Sequence, residues 1–176
     1  MKQKITLWVF LICLACSSLV AAETYQSSQF KIAFDAAEIW YPVQGDDPSS
    51  LTLESTEQGQ KTFSLVAAAV TTPESNLAFE TLSPEMKNEL MIMELEYYRA
   101  HRPNDKIVSI DFETINHRTY MLTKVQTKFG DAPVHSITAW TVQNQIEYLM
   151  TFHSADMSEQ FAAPFYDILQ TVNFTQ

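Results

Sequence analysis

Cysteine and glycine are scarce in this sequence, and both shortages exclude kinds of chemistry. The 176 residues contain two cysteines, Cys13 and Cys16, both close to the N-terminus. If that segment is removed, the rest of the chain has no thiol, which excludes disulfides, a cysteine nucleophile and a cysteine-bound metal. The three glycines are Gly45, Gly59 and Gly130, so there is no glycine-rich phosphate loop and no Gly-x-Ser-x-Gly nucleophile motif.

Basic residues are the second shortage. The chain has 11 lysines and arginines against 21 aspartates and glutamates, a formal net charge of −10. A surface of this sign repels phosphate backbones and anionic lipids, which excludes nucleic acid and acidic membranes as default partners. The adjacent acids Asp46 and Asp47 lie in a loop rich in Gly, Pro and Ser, and they lack the further oxygen ligands that a calcium site needs.

The first 22 residues have the layout of a secretory signal peptide. Two lysines precede an apolar run at residues 5–15, and Val20-Ala21-Ala22 forms a small-residue exit. The run is shorter than the roughly 20 residues of a membrane-spanning helix. We expect residues 1–22 to be removed and residues 23–176 to form a single domain, whose net charge would be −12 because two lysines leave with the leader. The alternative is cleavage before Cys16, which would give a lipid-anchored N-terminus.

Strands are predicted wherever β-branched and aromatic residues alternate with polar ones. The longest such region, residues 117–153, has short polar breaks at residues 129–131 and at Asn144, which predicts an antiparallel meander. Residues 24–28 are polar and are predicted to be an irregular lead-in. Further strands are predicted near residues 30–34, 51–53, 62–70, 106–113 and 172–174, and the apolar run 65–70 is predicted to be covered on both faces.

Two helices are predicted from their start signals. Ser83 is a suitable N-cap, and Pro84 occupies the first helical position, where a missing N–H costs nothing. Asp156 and Glu159 have the spacing of a capping box, but a proline interrupts the period that follows. A kinked helix or two short helices are therefore expected, the second of them starting near Ala163.

The apolar residues of the first helix predict its orientation. Four of them recur at helical spacing and are predicted to face the sheet: Met86, Leu90, Met93 and Tyr97. Met91 and Tyr98 fall off that face. We therefore expect both to be exposed and to form a partner-binding patch.

The order of these elements resembles a known superfamily. A Phe-x-Ile-x-Phe strand at residues 30–34, with Trp40 after it, is followed by a hairpin and a long helix. Several long antiparallel strands and a closing helix at residues 165–169, which leads to Phe174, complete the order. This arrangement is similar to the PsbP/DcrB-like superfamily. The resemblance implies an α+β fold, an α-β-α sandwich with a central antiparallel β-sheet flanked by helices. It also implies a largely non-catalytic role as an accessory subunit, envelope protein or interaction module, with no active-site motif to transfer.

Histidines are the candidates for metal binding. A hairpin centred on Asn144 would place His135 opposite His153, two imidazoles that a Zn²⁺ or Cu²⁺ ion could use. A metal site needs three or four ligands, and no third is evident, so two partly solvated histidines are the favoured interpretation. Ser136 adjoins His135 in sequence but points to the other face, which excludes a nucleophile–base pair.

These observations lead to one expected function and one alternative. We expect a secreted, periplasmic, non-enzymatic accessory or interaction domain of the cell envelope with an unidentified protein partner. No catalytic residue, cofactor or metal is assigned. The alternative is a small-ligand or metal-binding domain that uses a cleft between the sheet and one helix, with His135 and His153 as candidate ligands.

Overall fold

The computed structural model describes residues 22–37, 40–43, 50–55, 61–69, 78–158 and 160–175. The predicted signal peptide, apart from residue 22, lies outside the described residues, as do Cys16 and the acidic loop at Asp46 and Asp47. Within the described ranges, no helix is both long enough and apolar enough to cross a membrane.

The strands of this part of the chain form two antiparallel sheets. They are β1 (Ala22–Ser27), β2 (Ile32–Ala37), β3 (Trp40–Val43), β4 (Ser50–Ser55), β5 (Lys61–Ala69), β6 (Lys106–Ile115), β7 (Arg118–Phe129), β8 (Ala132–Gln143), β9 (Ile146–Ser154) and β10 (Asn173–Phe174). A seven-stranded sheet has the order β3-β4-β5-β9-β8-β7-β6, and a three-stranded sheet has the order β1-β2-β10. The predicted meander is confirmed as β7, β8 and β9. The predicted irregular lead-in at residues 24–28 is wrong, because β1 pairs with β2 along its whole length.

Two-residue turns close two hairpins of the large sheet. Asn116 and His117 have φ values of 46° and 62°, and Asn144 and Gln145 have values of 53° and 64°. Positive φ at both central residues is typical of the type I′ turn, whose twist matches that of paired strands. Each turn sets the register beyond it, so that Gln143 pairs with Ile146.

The helices are α1 (Pro84–His101) and α2 (Ala163–Thr171), and a short 3₁₀ turn, Phe79–Thr81, precedes α1. The predicted N-cap is confirmed, since the backbone N–H of Met86 donates to Ser83 Oγ at 3.2 Å. Asp156 of the predicted capping box does not cap a helix, and Glu159, its other member, lies outside the described residues. The Asp156 carboxylate accepts from the backbone N–H of Ser158 at 2.8 Å and closes a turn ahead of the helix. Helix α2 starts at Ala163, as predicted, with a proline in its first turn.

The two helices contact opposite faces of the large sheet. On one face Phe152 stacks on Phe165 of α2, with ring centroids 5.8 Å apart, and the adjacent residue Thr151 lies on the other face with α1. The small sheet shares the α2 side, where the Tyr148 hydroxyl donates to the Phe30 carbonyl oxygen at 2.9 Å. The antiparallel sheet and its helices are confirmed. On this side the three-stranded sheet lies beside α2, a layer that the predicted α-β-α sandwich did not include.

Most of the aromatic core lies on the α2 side. Phe34, Phe63, Phe152 and Phe165 are at most 2% exposed there. Burying a side chain of this size contributes about 1.5–3 kcal/mol, so this layer supplies much of the stability of the fold. The α1 side is less well covered. Val66 of β5 is 38% exposed, which contradicts the prediction that this strand is covered on both faces.

The orientation predicted for α1 is also wrong. Tyr98 is 5% exposed and Met91 packs half-buried against the sheet, whereas Met86, Met93 and Tyr97 are 38%, 63% and 52% exposed. Of the four residues predicted to face the sheet, Leu90 does so.

The reason is that α1 meets the sheet with a mixed polar and apolar side. Lys87 Nζ lies 5.4 Å from the centroid of the Phe112 ring, and Glu94 accepts a hydrogen bond from Thr123. These contacts hold the helix rotated by about one residue from the predicted orientation, so that Leu90, Met91, Leu95 and Tyr98 are partly or fully buried.

Candidate functional site

A cleft of about 500 Å³ separates helix α1 from the large sheet. Strands β5, β7, β8 and β9 form its floor, and the second half of α1 forms one wall. The cleft exists because α1 packs against the β6 side of the sheet and leaves the neighbouring strands uncovered, as the 41% exposure of Leu149 on β9 shows.

Hydroxyl side chains cross the floor of the cleft in a row. Ser64 of β5 pairs with Thr151 of β9, Thr151 with Thr138 of β8, and Thr138 with Thr123 of β7. Neighbouring strands lie about 4.8 Å apart, so the row presents one hydroxyl per strand at that spacing. Thr138 Oγ1 and Thr151 Oγ1 are 3.2 Å apart and share a hydrogen bond. We call these four residues the hydroxyl row.

The helix wall contributes Glu94, Tyr97, Tyr98 and Arg102. The hydroxyl of Thr123 donates to Glu94 Oε1 at 3.3 Å, and burial raises the pKa of the Glu94 carboxyl above its ordinary value. Burial, together with the nearby Glu94 charge, also raises the pKa of Tyr98. Arg102 lies over the Tyr98 ring, with its Nε 3.5 Å from an Asp105 carboxylate oxygen. The one arginine of the cleft therefore already has a carboxylate partner.

Two ring nitrogens that belong to the cleft residues are buried and unpaired. Trp140 Nε1 and His153 Nδ1 have no hydrogen-bond partner among the described residues. Phe79 contacts the Trp140 ring edge-to-face at 5.1 Å and helps to hold it in place. Burial, and secondarily the charge of Arg102, lowers the pKa of His153 below its ordinary value, which favours the neutral imidazole.

The structure does not bring the two candidate histidines together. His153 pairs with Ser136, and His135 pairs with Ser154, so the imidazoles lie on opposite faces of the sheet. The predicted pairing is wrong by one residue because the turn contains both Asn144 and Gln145, and a shift of one residue moves a side chain to the other face.

His135 lies on the α2 side, away from the cleft. It is 8% exposed, and its ring centroid is 4.5 Å from that of Phe161. Gln126 Nε2 donates to His135 Nε2 at 3.0 Å, which leaves the ring proton on Nδ1, a buried atom without a partner among the described residues. Across the described ranges, no three His, Cys, Asp or Glu side chains are grouped to hold a metal ion. Of the two predicted ligands, His153 lines the cleft and His135 does not.

The hydroxyl row and Glu94 were not among the residues singled out in the sequence. A signal for the row exists, since Thr123, Thr138 and Thr151 each sit at the middle of one long strand. It becomes visible only when the register of both hairpins is known. Glu94 gave no signal, because a glutamate on a helix is most often solvated.

Comparison with known proteins identifies the architecture. No family model matches the chain, and no curated protein sequence does. Among solved structures, cyanobacterial PsbP (CyanoP) from Synechocystis sp. PCC 6803 superposes with a TM-score of 0.60 over 90% of this chain and 95% of that chain, at 11% sequence identity. This chain has the PsbP-like fold. The predicted resemblance is thereby confirmed at the level of the fold.

Two further solved structures are similar to this chain. A protein from Bacteroides thetaiotaomicron VPI-5482 matches with a TM-score of 0.59 at 12% identity over 88% of this chain, which corresponds to 48% of that longer chain. LpqN of Mycobacterium tuberculosis, whose structure is described as involved in cell envelope biogenesis, matches with a TM-score of 0.42 at 8% identity, over 89% of this chain and 91% of its own. Identities this low show the fold alone, and the LpqN similarity is too weak to support a functional argument.

Proposed function

We propose that this protein is a non-enzymatic, extracytoplasmic accessory domain that binds a partner protein through the outer side of helix α1. The observation that carries this proposal is an exposed apolar stripe formed by Met86, Met93 and Tyr97, which are 38%, 63% and 52% exposed. Their spacing of seven and four residues places them along one line of the helix. Exposed apolar groups that adjoin one another commonly mark protein contact sites.

Charged residues on the same helix indicate what kind of partner surface would complement it. Glu85, Glu89 and Glu96 are exposed, and their helical spacing places them together along one flank of the stripe. A partner with an apolar groove bordered by lysine or arginine would complement both features, which is the helix-in-groove mode of recognition. An anionic membrane surface would be repelled by the same flank.

Location and the lack of catalysis rest on the sequence. The signal-peptide layout of residues 1–22 supports an extracytoplasmic domain. The non-enzymatic role rests on the resemblance to the PsbP/DcrB-like superfamily, whose members serve largely as accessory and interaction modules.

Photo-crosslinking in cells of the native host tests the contact surface. A photoreactive phenylalanine analogue would replace Met93 in one strain and Val108 in another, because Val108 is 57% exposed on β6, away from the stripe. We expect one discrete protein adduct from position 93 and none of that mass from position 108. Equal adducts from both positions, or none from position 93, would refute the proposal.

The partner identified in this way allows a quantitative test with purified proteins. Met86→Ala combined with Met93→Ala removes much of the stripe, and alanine favours helix formation, so the fold should persist. Loss of two interface side chains that cost about 1 kcal/mol or more each predicts an affinity at least tenfold weaker. Val108→Ala should bind like the wild type.

A further inference from the structure

We propose that the cleft between α1 and the large sheet binds a neutral saccharide of one or two rings. This site shares Tyr97 with the outer stripe of α1, but Met86 and Met93 of the stripe do not line the cleft. The cleft volume of about 500 Å³ falls within the roughly 300–1,000 Å³ typical of small-molecule sites.

The hydroxyl row supplies the polar contacts that a sugar needs. Ser64, Thr123, Thr138 and Thr151 line the cleft, and each hydroxyl can both donate and accept a hydrogen bond. A sugar presents hydroxyls of the same dual character around its ring. A row of such groups along one side of a cleft can therefore pair with several ring hydroxyls without a fixed charge.

Apolar surfaces next to the row fit the C–H faces of a sugar ring. Trp140 and Leu149 pair across β8 and β9, two residues along the strands from Thr138 and Thr151 and on the same face, and Tyr97 lines the cleft from the helix. The edge-to-face contact with Phe79 limits rotation of Trp140, so its ring offers a preformed surface at a low cost in entropy.

The charges of the cleft disfavour acidic ligands. Arg102 is the one arginine or lysine among the lining residues, and it is engaged by Asp105, whereas Glu94 and Glu147 also line the cleft. A phosphate, sulfate or uronic acid would meet two carboxylates there. A neutral sugar would instead donate its hydroxyl groups to those carboxylates, and such charge-assisted hydrogen bonds are stronger than neutral ones.

Nuclear magnetic resonance titration of the isotopically labelled protein tests the proposal directly. The probes are glucose, N-acetylglucosamine and cellobiose, with glucuronate and putrescine as an acidic and a cationic comparison. We expect at least one neutral sugar to shift the indole N–H resonance of Trp140. The resonance of Trp40 should stay in place, because Trp40 is 3% exposed in the opposite core. No shift of Trp140 with any neutral sugar at 50 mM would overturn the proposal, as would tighter binding of glucuronate or putrescine than of every neutral sugar.

Threonine-to-valine variants test the hydroxyl row without changing side-chain shape. Thr138→Val and Thr151→Val should each weaken binding of the best sugar about fivefold, the loss expected for one hydrogen bond of about 1 kcal/mol. Thr114→Val is the matched control, since Thr114 and Thr119 form a similar cross-strand hydroxyl pair at 3.3 Å outside the cleft.

Both residues are half-buried, and Thr151→Val tests the row even if Thr138→Val fails to fold. Unchanged affinity in folded Thr151→Val protein would overturn the assignment. The double variant at Met86 and Met93 should retain sugar binding, which separates this site from the proposed protein contact.

Discussion

Ser136 and His153 face each other across strands β8 and β9, while His135 lies on the other side of the sheet opposite Ser154. His153 therefore belongs to the cleft under helix α1, and His135 belongs to the layer beneath α2. The two imidazoles cannot share a ligand, because the sheet backbone separates them.

This separation predicts that the two histidines contribute independently to stability. In a double-mutant cycle, the effects of His135→Ala and His153→Ala on the free energy of unfolding should add to within about 0.5 kcal/mol. Urea denaturation of the four proteins measures the coupling. Thr138→Val with Thr151→Val is the positive control, because those hydroxyls are 3.2 Å apart and should couple. A coupling above 1 kcal/mol between the histidines would contradict the register.

The lowered pKa of His153 predicts a dependence of stability on pH. Its ordinary pKa is 6.5, and burial, followed by the Arg102 charge, lowers the value in the folded protein. Between the two pKa values the unfolded chain binds more protons than the native one, so this group makes stability rise with pH up to about 6.5. The slope should diminish in His153→Gln. His117→Asn should keep it, since His117 lies in an exposed turn whose positive φ suits asparagine. Denaturation at pH 5.5 and 7.5 measures the slope for both variants. An unaltered slope in His153→Gln would refute the assignment of this pH dependence to His153.

Glu94 predicts the opposite dependence. Burial raises its pKa above 4.5, so in the window above that value the native protein binds more protons than the unfolded chain, and stability falls as pH rises. Glu94→Gln should therefore increase the free energy of unfolding at pH 7, and the increase should shrink toward pH 4. Glu89→Gln, on the exposed side of the same helix, is the matched control. A destabilised Glu94→Gln protein at pH 7 would show that the carboxylate is instead favourably solvated in the cleft.

The turn between β8 and β9 predicts a stabilising substitution. Gln145 has a φ of 64°, a left-handed conformation that costs a residue with a side chain roughly 1–2 kcal/mol and costs glycine much less. Gln145→Gly should raise the free energy of unfolding by about 0.5–1 kcal/mol after the added flexibility of the unfolded chain is offset. Asp131→Gly should give no gain, because Gly130 and not Asp131 carries the positive φ in the turn before β8. Thermal melts of both variants measure the change in stability and test this prediction.

Local sequence signals were sufficient for much of the fold. Ser83 and Pro84 predicted the start of α1 because a cap and a proline act on their own backbone neighbours. The three long strands of the meander followed from alternation. The hairpin register did not follow from alternation. Whether a turn contains one residue or two depends on its backbone angles, and the residue types of Asn144 and Gln145 do not determine those angles.

The site depended on contacts that sequence spacing does not encode. Two adjacent sides of α1 carry apolar residues at helical spacing, and the side that packs on the sheet includes Leu90, Met91, Leu95 and Tyr98. The same orientation places Glu94 where it accepts a hydrogen bond from Thr123, a contact that spacing along the helix does not indicate. The predicted helix orientation placed Tyr97 against the sheet and Tyr98 in solvent, the reverse of what is observed. The exposed stripe and the cleft wall were therefore not predicted.

The small sheet joins distant parts of the chain. Strand β2 lies between β1 and β10, and Asn173 and Phe174 pair with Ala33 and Ile32. A ribosome adds about 5–20 residues per second, so β2 waits on the order of ten seconds for its second neighbour during synthesis. Phe174, which packs on Tyr148, arrives last among the aromatic residues of that core. The small sheet is thus incomplete until residue 174 has been added, and a nascent chain stalled before residue 173 leaves one side of β2 open to foreign strands.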